Sequence, residues 1–83
     1  MSKYRSLNLF DLAHNTWFVY GYDLQTVYEL TGFSCNGDKA LVRRKLFLMN
    51  GIWHVASQAQ LEQSNDCDVY PVNITIKVEG LNE

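Results

Sequence analysis

The chain has 83 residues, of which 47% are hydrophobic and 19% charged, with a single proline; this describes one globular domain with no residues left for a linker, far from disordered or fibrous chains. So short a chain buries only about 60 to 65% of its unfolded surface, and an enzyme of this size would have to build its pocket from residues its core also needs. A net charge of −2 and a pI near 5.6 exclude a surface that condenses as a whole on nucleic acid or on an anionic membrane.

The N-terminus starts basic, but Asn8 and Asp11 interrupt its apolar residues, so it reads as neither a secretory signal nor a membrane anchor, and a cytoplasmic address follows. Leu7, Phe10, Leu12 and Ala13, between Ser6 and Asn15, have the spacing of a short amphipathic helix capped by the Ser6 hydroxyl. Residues 16–20 are β-branched or aromatic and stop at Gly21, which predicts a strand.

Two Asn-Gly pairs organise the middle of the chain. Asn50-Gly51 lies between two apolar runs and predicts a two-residue type I′ hairpin pairing Met49 with Ile52, Leu48 with Trp53, Phe47 with His54 and Leu46 with Val55. Alternation then gives Leu46, Leu48, Trp53 and Val55 a core face, and leaves Lys45, Phe47, Met49, Ile52 and His54 on the other. Asn36-Gly37, treated the same way, sets Phe33 against Ala40, Thr31 against Val42, Glu29 against Arg44 and Val27 against Leu46. Strands over 26–35, 38–49 and 52–56 would form a meander. Residues 57–68 are polar, with room for one helical turn over 59–63. After Pro71, residues 72–78 alternate apolar and polar as a last strand, whose edge could pair with a copy of itself in a homodimer.

The fold class that follows is α+β, a short N-terminal helix with a mostly antiparallel sheet of four to five strands around a β-meander core. A second reading uses the same residues. Asp23 would cap a helix over 24–31 ended by Gly32, Asp38 would cap another over 39–44, and the Asn50-Gly51 hairpin would become a wing. That order resembles a winged helix-turn-helix over residues 6–56, and the resemblance implies a DNA-binding regulator meeting phosphates with Lys39, Arg43 and Arg44. Bulky Tyr28, the long turn from Gly32 to Asp38 and a wing without a basic tip depart from that pattern and favour the sheet.

Charge is uneven along the chain: residues 1–38 sum to −2, residues 39–56 to +4 and residues 57–83 to −4. Cross-strand pairing is the simplest use of such blocks. Cys35 and Cys67 stand apart without a second ligand near either, so they read as reduced thiols rather than a zinc site, with a single bridge between them as the alternative. His14 and His54 lack metal-ligand spacing, no serine lies in a nucleophile elbow and no glycine cluster forms a phosphate loop. No catalytic residue, metal or cofactor is therefore assigned.

Aromatic residues make up 13% of the chain. Tyrosine, methionine and arginine are enriched where interfaces carry their energy. Tyr20, Tyr22, Tyr28, Arg43, Lys45, Phe47, Met49 and Ile52 are accordingly the candidate partner-binding residues. The expected function is a non-enzymatic protein-binding module. In size and composition it is similar to the small inhibitors and accessory proteins encoded by phages and mobile elements. A protein is the expected partner, and nucleic acid the alternative.

Overall fold

Asn50 and Gly51 both take positive φ, 54° and 74°, as the primed hairpin turn requires. The computed structural model of the protein describes residues 6–57 and 59–73. It contains strands β1 (Leu7–Asn8), β2 (Trp17–Tyr20), β3 (Asp23–Phe33), β4 (Ala40–Met49), β5 (Ile52–Val55), β6 (Gln60–Gln63) and β7 (Asp68–Pro71), with one 3₁₀ turn at Leu9–Asp11. All pair antiparallel in the order β1-β7-β2-β3-β4-β5, and β6 also pairs with β4. Among the described residues no helix is long and apolar enough to cross a membrane.

The fold is thus nearly all antiparallel sheet, which corrects both the α+β expectation and the winged helix-turn-helix. Residues 24–31 lie in β3 and residues 40–44 in β4, so no helix exists for Asp23 or Asp38 to cap. At the N-terminus, Leu7 and Asn8 pair with Val69 and Asp68, and the chain then tightens into the 3₁₀ turn. Leu9 and Leu12 are both buried. Their three-residue separation suits a 3₁₀ turn as well as a helix, because positions i and i+3 eclipse there. The turn is held from outside itself: the Leu9 N–H donates to the Cys67 carbonyl at 2.9 Å and the Phe10 N–H to Asp66 Oδ1 at 3.1 Å.

The β4–β5 register is the expected one, residue for residue. Between β3 and β4 the expected register holds at both ends, with Phe33 opposite Ala40 and Val27 opposite Leu46, but not in the middle. Register shifts fall between Leu30 and Gly32 and between Val27 and Tyr28. The first leaves Thr31 as an extra residue on β3, and the second leaves Lys45 as an extra residue on β4; each is a β-bulge, and together they cancel. The Thr31 hydroxyl donates to the Leu41 carbonyl at 3.0 Å, satisfying the ladder where it is interrupted. In the displaced segment Glu29 faces Arg43, and Arg44 faces Tyr28. The connection from β3 to β4 is longer than two residues: Ser34 N–H donates to the Lys39 carbonyl at 2.9 Å, and the Ser34 and Asp38 side chains share a 2.8 Å hydrogen bond.

The outer edge of β4 is divided between two partners. Ala40, Leu41, Val42 and Arg43 pair with Gln63, Glu62, Leu61 and Gln60 of β6, so residues 60–63 form a strand where a helical turn over 59–63 was expected. Leu46 to Met49 pair with β5. Gln63 hydrogen-bonds the Tyr20 side chain, although β3 and β4 separate β6 from β2 in the sheet order. The sheet must therefore curl. Inside the curl lie Leu9, Leu12, Phe18, Tyr20, Leu30, Ala40, Val42 and Val69, with Phe10, Tyr28, Phe33 and Cys67 packed against them.

The β4–β5 hairpin extends past this core. Trp53 and Val55, expected inside, are 47% and 76% exposed, because Val55 lies opposite Leu46 and Leu46 opposite Val27, on the face of the sheet away from Leu30 and Val42. β7 ends at Pro71 and the Val72 N–H donates to the Trp17 carbonyl at 2.9 Å; of the strand expected over 72–78, residues 74–78 lie outside the described ones.

Candidate functional site: a concave aromatic face

Directly opposed residues on antiparallel strands share a face. Phe18 is opposite Tyr28, and Tyr28 is opposite Arg44, so one face runs from β2 through β3 to β4. Thr26 is opposite Phe47, and Phe47 opposite His54, which carries the same face onto the hairpin. An open concavity of about 410 Å³ lies here, lined by Asp23, Thr26, Tyr28, Arg44, Phe47, Ala56 and Ser57. Its floor is aromatic, with Phe47 stacked on His54 at 5.3 Å. Arg44 is its cationic group. Among the described residues the ion pairs join Lys39 to Glu62 and Lys45 to Glu29, both at 3.6 Å, and Arg44 takes part in neither.

The tyrosines form one side of this face. Tyr20 sits between Tyr22, stacked on it at 5.1 Å, and Tyr28, edge-on at 5.0 Å. Phe18 closes the cluster, 5.2 Å from Tyr20 and 5.9 Å from Tyr28. Tyr20 itself is only 4% exposed, whereas Tyr22 is 73% exposed. The expected tyrosine surface is therefore two residues deep: Tyr20 is core, Tyr28 is half-buried above it, and Tyr22 stands in solvent. Burial pushes the Tyr20 hydroxyl up to about 12, against the pull of the Gln63 hydrogen bond, with Tyr22, Cys67 and Tyr28 adding to the rise. The Tyr22 hydroxyl is also raised, first by burial and then by Cys67, Tyr28 and Asp23. Burial, followed by Asp66 and Asp68, raises the Cys67 thiol. A raised thiol is protonated and a poor nucleophile. Both cysteines are free.

The remaining candidates divide between the two faces. Met49 and Ile52 are opposite each other at the hairpin tip, on the Phe47 and His54 side, and are 49% and 61% exposed. Arg43 and Lys45 lie on the reverse face with Trp17 and Glu29: Trp17 is opposite Glu29, Glu29 is opposite Arg43, and the Lys45 ammonium lies 5.3 Å from the Trp17 ring centroid. Arg43 Nε is buried and has no hydrogen-bond partner among the described residues. Lys39, Arg43 and Arg44 therefore do not converge on one cationic arc, since one is paired with β6, one faces the Trp17 side and one faces the concavity. Sequence reasoning did not single out Asp23, Thr26, Ala56 or Ser57 as lining residues, and it set Arg44 opposite Glu29 rather than Tyr28. The two bulges decide this, and no residue pattern announces them.

Among the described residues no three His, Cys, Asp or Glu side chains gather as a metal site would require. Comparison with protein-family models, with curated proteins and with solved structures returned no match.

Proposed function

We propose that the chain is a non-enzymatic protein-binding module, and that the concave aromatic face is where its partner docks. The partner we infer is an exposed protein segment in which an acidic side chain lies close to an aromatic or aliphatic one. The carboxylate would meet the Arg44 guanidinium, and the apolar side chain would cover Phe47 and Tyr28. One observation carries the reading: an arginine without an ion-pair partner among the described residues lines an open concavity together with Tyr28 and Phe47. Interfaces draw their energy from such groups, in which an aromatic floor excludes water around a charge-assisted hydrogen bond. A role as a small cytoplasmic inhibitor or accessory protein of the phage type belongs to the same proposal.

Selection from a displayed random-peptide library tests it. Wild-type protein should enrich sequences pairing Asp or Glu with an apolar residue a few positions away. Arg44→Glu should weaken binding of those peptides roughly ten- to a hundredfold, the usual scale of a lost charged hydrogen bond. Enrichment without an acidic residue, or peptides that bind Arg44→Glu equally well, would contradict the reading.

A further inference from the structure

We propose that β5 is a dimerisation edge, at which a second copy of this chain adds its own β5 antiparallel to form one continuous sheet. Among the described residues β5 ends the sheet order, with β4 as its neighbour. Soluble proteins blunt such edges with charged residues, proline or a bulge. Ile52-Trp53-His54-Val55 contains no Lys, Arg, Asp, Glu or Pro, and its pairing with β4 is regular. Ile52, Trp53 and Val55 are 61%, 47% and 76% exposed.

Hydrogen-bond parity fixes which groups the edge offers. The Ala56 N–H donates to the Lys45 carbonyl at 3.0 Å, so pairs in phase with it, Phe47 with His54 and Met49 with Ile52, are the hydrogen-bonded ones. The N–H and C=O of Trp53 and Val55 then point away from β4. A second β5, running antiparallel, matches Trp53 to Val55 of the second copy and Val55 to Trp53 of the second copy, which uses every outward group of both residues. His54 falls on the two-fold axis, opposite itself, as a non-hydrogen-bonded pair with Cα atoms about 4.5 Å apart.

No charge in β5 opposes this self-pairing, and its apolar residues find each other across the seam. The two-fold axis is perpendicular to the sheet, so the concave faces of both copies end on the same side. Phe47 and His54 of one copy then continue into those of the other as a single aromatic strip. The inference does not rest on what docks in the concavity.

Sedimentation velocity over a range of concentrations tests it. Wild-type protein should sediment as a dimer, and Val55→Pro, which deletes an outward N–H without touching the β4 ladder, should raise the dissociation constant at least tenfold. The central histidines give a readout independent of that variant's folding. His54→Glu and His54→Lys should each be monomeric, with like charges on the axis, and an equimolar mixture of the two should dimerise. Wild-type protein that remains monomeric at every concentration overturns the proposal and leaves the edge to a strand from another protein. So does a dimer that survives in both single-charge variants.

Discussion

Tyr28 lies directly opposite Arg44 across β3 and β4, one position away from the register that the β3–β4 connection sets at Phe33 and Ala40. The displacement lasts only from one bulge to the next. It turns Arg44 toward the aromatic face and leaves Glu29 facing Arg43, with Lys45 reaching Glu29 at 3.6 Å on the other side. The candidate site thus depends on a backbone irregularity rather than on any motif.

The bulge at Thr31 should be measurable. Thr31→Val keeps the shape of the side chain but removes the 3.0 Å hydrogen bond to the Leu41 carbonyl. A loss of about 1 kcal/mol is expected, which for a domain of this size is a fall in Tm of about 4 to 8 °C by calorimetry. Arg44→Glu should bind selected peptides as poorly in this background as in the wild-type one.

Core and hairpin should respond differently to truncation. Phe18 is fully buried, and Phe18→Ala should cost about 3 to 5 kcal/mol in urea denaturation. Val55 is 76% exposed, so Val55→Thr should change stability by no more than about 0.5 kcal/mol. A large loss at Val55 in dilute, monomeric protein would mean that the hairpin is packed after all.

Alkaline unfolding should report Tyr20. Its hydroxyl is pushed up to about 12 from 10.0, so above pH 10 the unfolded chain ionises while the folded one stays neutral. The contribution of Tyr20 is fully present below pH 10 and is lost as pH rises toward 12. Tyr20→Phe should remove most of that slope, at the cost of the Gln63 hydrogen bond at neutral pH.

Local chemistry made the turn and the register of the hairpin at Asn50 and Gly51 legible, though not which face is buried, because φ of 54° and 74° is what that dipeptide tolerates and the turn counts out the register from there. Gly51→Ala, at φ +74°, should accordingly destabilise the chain by about 1 kcal/mol or more. The ends of the β3–β4 pairing keep the expected register although Asn36 does not take positive φ and the connection is longer than a two-residue turn. The bulges were not legible, since they answer to curling of the sheet around Leu30 and Val42 rather than to neighbours in sequence. The N-terminal residues misled because Leu7, Phe10 and Ala13 recur at every third position, a spacing that a 3₁₀ turn shares with a helix. Residues 59–63 misled because a polar segment can still pair as a strand when its backbone meets the open edge of β4. Of the residues that line the concavity, sequence singled out Tyr28 and Phe47 for the partner surface. Alternation set Arg44 apart from Arg43 and Lys45 but placed it opposite Glu29 rather than Tyr28, because face assignment reverses wherever one residue is inserted into a strand.

The most direct test of the docking face is a double-mutant cycle between Arg44 and the acidic residue of a selected peptide, measured by titration calorimetry. Arg44→Glu and an acidic-to-lysine change in the peptide should each weaken binding, and the two together should recover it, with a coupling of about 1 to 3 kcal/mol. Losses that simply add, with no recovery in the double variant, would contradict docking through Arg44.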